Sequence, residues 1–200
     1  MDYVYEIEDV LPKEICEIII KRYDKDSRKE DSAVGKGGVI DREIRRSKVL
    51  PISSYSSWND VDCIIKDVIS KSITKYAVYI AETFQNTKLV ARKHLFKQMK
   101  DTFASMEDEG YFVQEYKEGD FYEWHVDHSK RMPNQRTLSF VLYLNTLNEN
   151  QGGCTEFING KKVRPIQGNM VVFPSDWQHL HRGAPVKNDG VKYTIGTWAV

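Results

Sequence analysis

The sequence predicts an α+β protein with a mainly β core in its second half. Near residue 110 the apolar pattern changes from helical spacing to short runs rich in β-branched and aromatic residues. Turn residues then recur at short intervals, as in a sandwich or barrel. Two hundred residues, 40% apolar and 12% aromatic, can also build a core without staples. The expectation is a single domain, 1–200: a helical support region with a first strand over 1–110, and a β core over 111–200.

The elements follow in order. Leu11-Pro12-Lys13-Glu14 opens a helix over Ile15 to Arg22, with Pro and Glu where a helix start favours them. Asp24 to Glu30 is charged and expected on the surface, and Ser32 to Gly38 reads as a loop. Val39 to Pro51 reads as a strand containing Arg45 and Arg46. Ser56 to Asp60 has cap character ahead of a helix over Val61 to about Ile80. Thr87 to Met106 reads as a further helix or helix pair. Strands are expected at Tyr111–Tyr116, Tyr122–Val126, Arg136–Leu144, Thr155–Ile158, Lys161–Val163, Met170–Phe173 and Val191–Val200. Asn159-Gly160 signals a two-residue hairpin between the fourth and fifth. Helices outside a small barrel make an α+β arrangement.

Composition excludes several classes. Twenty-nine basic and 29 acidic residues cancel, which argues against a general nucleic-acid binder. No apolar run approaches the ~18–20 residues of a membrane helix, and the acidic start lacks the features of a signal peptide. Cys16, Cys63 and Cys154 are odd in number and far apart, which disfavours a disulfide framework and a cysteine zinc site. Free thiols in a reducing cytoplasm are the expectation.

Four of the five histidines, His125, His128, His179 and His181, fall in the β half; His94 lies in the helical half and reads as structural. In His125-Val126-Asp127, residues two apart on a strand share a face, so His125 and Asp127 project together. They are either two ligands of a divalent metal or a buried His–Asp hydrogen bond. A third ligand from His179 or His181 would complete a 2-His-1-carboxylate face with open positions, the geometry of non-haem iron oxygenases. On the last strand Lys192, Thr194 and Trp198 share a face. Lys192 is either exposed at a sheet edge or faces inward to meet an anion, since an unpaired buried lysine is costly.

The second half resembles the 2-oxoglutarate- and Fe(II)-dependent dioxygenases, in their prolyl 4-hydroxylase-like branch. Tyr116 to Asp127 resembles that family's tyrosine, glycine turn, second tyrosine and HxD. Arg136 to Leu144 resembles the next strand, ending in Tyr-Leu, and Gly152 to Phe157 resembles Gly-Gly-Glu-Thr-x-Phe. Val172-Phe173-Pro174 and His181 to Val186 resemble the approach to the distal histidine and its Gly, Pro-Val sequel. Lys192 resembles the basic residue that binds the C5 carboxylate of 2-oxoglutarate. The markers cover about 85 residues, Tyr116 to Val200, in the family's order. In the front half, Val10 to Cys16 and Arg45-Arg46-Ser47 resemble the leading helix and first strand; residues 79–110 match nothing.

The resemblance implies a double-stranded β-helix, or jelly roll, buttressed by the N-terminal helices. It implies Fe(II) on His125, Asp127 and His181, with the Pro185-Val186 spacing selecting His181 over His179. It implies 2-oxoglutarate held by Lys192, with Tyr116 and Thr194 as further contacts, O2 as co-reactant and ascorbate as a reductant. The implied reaction hydroxylates an unactivated C–H bond as 2-oxoglutarate is converted to succinate, most simply on proline in a peptide or protein. The same chemistry on a free amino acid or other small molecule is the alternative, followed by a non-catalytic metal-binding jelly roll. Neither nucleic acid nor a membrane is an expected partner, and oligomeric state is not legible.

Cys154 departs from the family by standing where Glu is usual. His128 is expected to be exposed or on the substrate side. Tyr122, Trp124, Phe140, Phe157, Phe173 and Trp177 read as core, whereas Tyr143 reads as facing the pocket. Arg136 is a substrate contact or a solvated strand end, and Gly152 and Gly153 serve a turn. Ser32–Gly38 and His128–Gln135 are the expected gating loops.

Overall fold

A computed structural model describes residues 3–35, 38–83, 89–128 and 135–200. The front half supplies β1 (Tyr5–Ile7), α1 (Lys13–Lys25), β2 (Glu30–Asp31), β3 (Arg45–Arg46), β4 (Lys48–Pro51), α2 (Asn59–Thr83) and α3 (Leu89–Ala104). The back half supplies β5 (Phe112–Tyr116), β6 (Phe121–His125), β7 (Leu138–Tyr143), β8 (Thr155–Phe157), β9 (Lys162–Val163), β10 (Met170–Pro174), β11 (His181–Gly183) and β12 (Lys192–Ala199).

The strands form two antiparallel sheets, ordered β1-β10-β7-β12-β5-β4-β2 and β3-β6-β11-β8-β9. From β5 onward the chain passes repeatedly between them, with β5, β7, β10 and β12 in the large sheet and β6, β8, β9 and β11 in the small one. This winding is the expected jelly roll, and the fold is α+β.

The large sheet is buried on both faces. Leu50, Val113, Phe140, Leu142, Val172 and Ile195 share a core with Ile19 and Tyr23 of α1 and Ile65, Ile69 and Tyr76 of α2. On α1 the buried Cys16, Ile19 and Tyr23 recur at helical spacing. Full burial of each such aliphatic side chain is worth ~1.5–3 kcal/mol. The alternate residues of these strands, among them Gln114, Ser139, Tyr143, Lys192 and Thr194, are also buried. Tyr143, Val171 and Phe173 meet Phe157 and Val163 of the small sheet. Strands covered on both faces lose clean apolar-polar alternation, which is why Arg136–Leu144 reads almost continuously apolar.

Several elements differ from expectation. Val39–Pro51 is not one strand: a turn at Asp41–Ile44 precedes β3, which pairs with β6, while β4 pairs with β5. The chain changes sheets at Ser47, whose hydroxyl and carbonyl both bond Ser32. β1 arises in the acidic start and pairs with β10. β2, at the end of the expected surface stretch, pairs with β4. The hairpin loop has three residues, 158–160: Phe157 pairs with Lys161, and Gly160 donates to Phe157 O at 2.9 Å with φ of 90°. A glycine closing a three-residue loop relieves the strand twist that two-residue loops meet with primed turns. The expected helix over Thr87–Met106 appears as α3; Thr87 itself lies outside the described residues, as do 36–37 and 129–134 of the two expected gating loops.

Gly168 ties the N-terminal segment to the barrel. Its carbonyl accepts from Val10 N at 2.8 Å, and at φ of 84° an added Cβ would stand 2.5 Å from Leu11 O. Gly168→Ala should therefore cost about 1–3 kcal/mol, read by urea unfolding. Gly160→Ala, also at positive φ but with nothing within 4 Å, should cost less.

Candidate active site

A cavity of about 290 Å³ opens between the sheets. His125, Asp127, His181 and Lys192 line it, together with Tyr116 and Thr194. The sequence-predicted site residues thus converge on one space. His125 ends β6, Asp127 follows in a bend, and His181 begins β11 directly opposite His125 in the register.

The protonation pattern of this cluster follows from its backbone contacts. His125 Nδ1 lies 2.7 Å from Glu123 O and His181 Nδ1 2.9 Å from His179 O. A carbonyl only accepts, so each Nδ1 carries a proton and Nε2 is the nitrogen that each ring turns to the cluster. Both Nε2 atoms face the Asp127 carboxylate at 3.6 Å, beyond hydrogen-bond range. Burial and the neighbouring His181 lower the His125 pKa to about 4, so this ring stays neutral near pH 7. Burial pushes the Asp127 carboxyl up, but the positive charge that His181 and His125 carry when protonated, together with the Ser139 hydroxyl, outweighs it and holds it below its usual range.

Three ligand-bearing side chains therefore converge, with ligand atoms all within 4.8 Å of one another. A divalent cation fits this donor set, since it removes the lone-pair repulsion that the bare cluster contains.

Ser139 and Ser175 orient the carboxylate. Ser139 Oγ donates to Asp127 Oδ2 at 2.6 Å and lies 2.8 Å from Ser175 Oγ. With its one proton given to Asp127, Ser139 accepts from Ser175, making a two-hydroxyl relay. Sequence reading missed both serines; the available signal was a polar residue at an inward position of the apolar strand β7.

Lys192 forms the opposite wall and is 3% exposed. Its Nζ donates to Gly153 O at 3.0 Å and stands 4.4 Å from the Tyr116 ring centre. Among the described residues no carboxylate pairs with it, and burial lowers its pKa to about 8. Thr194 Oγ1 donates to Gln114 Oε1 at 3.3 Å beside it. The edge-strand alternative is excluded, because β12 lies between β5 and β7.

Other expectations are corrected. Tyr122 is not simply core: its ring stacks on His125 with centres 3.5 Å apart. Trp124 and Trp177 are 38% and 76% exposed, whereas Phe140, Phe157 and Phe173 are buried as expected. Tyr143 is sealed in the core, its hydroxyl 2.7 Å from Thr155 Oγ1, and does not line the cavity. Arg136 is no solvated strand end; it forms a fork with Glu109 at 2.7–3.0 Å and covers Trp198. His128 is half-buried, and His94 is on the exposed face of α3. His179 turns its ring to Asp176 at 2.7 Å and contributes only its carbonyl to His181. Cys154 is half-buried, with its carbonyl bonded to Ala184 N.

Residues 111–200 match the family model of the 2OG-Fe(II) oxygenase superfamily. That stretch, the β half of the chain, is similar to the oxygenase domains of that superfamily. An 83-residue stretch is 35% identical to a PKHD-type hydroxylase of Synechococcus sp. (strain CC9902) and 34% identical to one of Prochlorococcus marinus (strain NATL2A). Each match covers 40% of this chain and 36% of the relative, so the chain spans about a third of the length of these curated relatives. The fold is also that of a viral collagen prolyl hydroxylase from Paramecium bursaria Chlorella virus-1, solved with 2OG (TM-score 0.62, 22% identity, covering 99% of this chain and 96% of that one). A prolyl hydroxylase from Trichoplax adhaerens, solved with a hypoxia inducible factor peptide, superposes with a TM-score of 0.67 at 17% identity, covering 100% and 84%.

Lys192 in the empty cavity is a stability cost. Lys192→Met should raise the melting temperature of the ligand-free protein near pH 7. The unfolded chain binds this proton more tightly than the folded one, so between pH 8 and 10.5 the lysine's contribution to stability rises with pH. That component of the pH dependence should vanish in the Met variant.

Proposed function

We propose that this chain is a 2-oxoglutarate- and Fe(II)-dependent dioxygenase that hydroxylates an unactivated C–H bond, acting as one unit over residues 1–200. The observation that carries the reading is the pairing, in one cavity, of the His125–Asp127–His181 cluster with a buried lysine that meets no carboxylate among the described residues. His125, Asp127 and His181 would hold the iron. When bound, Fe(II) with 2-oxoglutarate and O2 supplies an oxidant for C–H bonds, 2-oxoglutarate leaving as succinate and CO2.

The chain's own residues bind and orient. The carbonyls of Glu123 and His179 keep both imidazoles in the ligating tautomer. Ser139, backed by Ser175, fixes the rotation of the Asp127 carboxylate. Lys192 meets the far carboxylate of 2-oxoglutarate with a charge-assisted bond in a dry setting, and Thr194 and Tyr116 flank it. Gly153 O keeps the Lys192 ammonium in place until the carboxylate arrives. A prolyl residue in a peptide is the favoured substrate, in line with the prolyl hydroxylases that share the fold, and ascorbate fits as a reductant of the iron. The same chemistry on a free amino acid is the second reading, favoured by the small volume of the cavity. No helix of the described residues is long and apolar enough to cross a membrane.

Anaerobic titration with Fe(II) and 2-oxoglutarate tests the reading. A visible charge-transfer band requiring both components is expected, and its absence from folded protein would refute it. Ser139→Ala should weaken Fe(II) or Co(II) binding by about 10–100-fold, the usual loss for an outer hydrogen-bond partner; His181→Ala should lose more and His179→Ala less. Because a bound carboxylate needs Lys192 protonated, 2-oxoglutarate affinity should be flat below pH 8. Above pH 8 it should fall by up to ~10-fold per unit, measured by calorimetry.

A further inference from the structure

The charges around the cavity do not balance once the proposed ligands are counted. Four permanently or normally charged side chains line it: Arg45, Asp127, Arg136 and Lys192. Arg136 is neutralised by its fork with Glu109. Asp127 belongs to the metal cluster, and Lys192 is matched by the far carboxylate of 2-oxoglutarate. Arg45 has no match. Among the described residues no carboxylate lies within ion-pair distance of it, its Nε is buried with no hydrogen-bond partner, and Nη1 reaches only Ala33 O at 3.4 Å.

The surroundings of Arg45 do not remove the deficit. It also borders an outer groove with Asp31, Glu115 and Asp120. Asp31 is held by Arg42 and Lys48 at 2.8 and 2.7 Å. Glu115 is 3.8 Å from Lys117, and Asp120 accepts from Lys117 N at 2.9 Å. An arginine cannot shed its proton, and a half-buried guanidinium with an unpaired N–H is costly. Its planar fork suits a carboxylate. Its position is beside the cluster: the guanidinium lies 4.5 Å from the centre of the Tyr122 ring, and that ring stacks on His125. One aromatic ring therefore separates Arg45 from the metal cluster.

We propose that Arg45 docks a carboxylate of the primary substrate, so that the substrate class is anionic. Tyr122 spaces that carboxylate from the reacting carbon. This rests on the oxygenase reading above and deepens it. The carboxylate has two sources: the α-carboxylate of the hydroxylated residue itself, or an acidic side chain next to it in a peptide.

Calorimetric titration of the full chain, loaded with Fe(II) and 2-oxoglutarate without oxygen, decides between them. The probes are N-acetyl-L-proline against N-acetyl-L-prolinamide, and N-acetyl-Glu-Pro-amide against N-acetyl-Gln-Pro-amide. At least one acid should bind about tenfold more tightly than its neutral counterpart, as loss of a charge-assisted bond implies. The pair showing the preference identifies the source. In Arg45→Gln the preference should collapse while 2-oxoglutarate affinity is kept, which also reports a folded site; Arg45→Lys should restore part of it. No preference in either pair, no binding of either acid, or a preference that survives Arg45→Gln overturns the proposal. So does an Arg45→Gln variant that loses 2-oxoglutarate as Lys192→Met does, since Arg45 would then serve the cosubstrate. Failure of the unaltered protein to bind 2-oxoglutarate at all marks failure of the oxygenase reading instead.

Discussion

The structure depends on the sealing of one face of the large sheet by α1 and α2. Leu50, Val113, Phe140, Leu142 and Ile195 bury themselves there against Ile19, Ile65 and Tyr76. That apolar core is what permits the opposite face of the same strands to be both buried and polar. Ser139, Gln114, Thr194 and Lys192 would each be a liability in a domain with a thinner core. Here they are distributed along strands whose other face anchors them, so their positions are set by backbone pairing on both sides.

Within the cavity, backbone and hydroxyl groups perform the chemical preparation. Two carbonyls select the histidine tautomers, and two serines aim the carboxylate. No side-chain acid or base beyond the cluster is needed for this. Lys192 and Arg45 are different in kind. Each is a cation held in the wall without a counter-charge from the described residues, and each stores a cost that an incoming anion relieves. On the proposed reading such a cavity would give up stability for selectivity, the usual tension between stability and function.

The arginine proposed to dock the substrate lies outside the segment matched to the oxygenase superfamily, residues 111–200. β3 carries Arg45 and joins the small sheet at its edge, beside β6. The front half therefore does more than buttress: it adds a charged group to the wall of the site. The solved structures of the same fold extend over the front half too, and here Arg45 and Ala33 bring that half to the cavity.

Much of the site was legible in the sequence because side-chain parity along a strand is a local property. The shared face of Lys192, Thr194 and Trp198 follows from it, whereas His125 ends its strand and Asp127 reaches the same space from the bend beyond. Parity names a face without naming what lies across from it. The split of Val39–Pro51 between two sheets, the stacking of Tyr122 on His125, the sealing of Tyr143 against Thr155 and the Ser175–Ser139–Asp127 relay all join segments distant in sequence. The sequence by itself determined which residues share a face, as Lys192, Thr194 and Trp198 do. Only the tertiary structure decided which of the inward groups meet a partner and which, like Lys192 and Arg45, are left with an unmatched charge, because that depends on long-range strand pairing that no local pattern encodes.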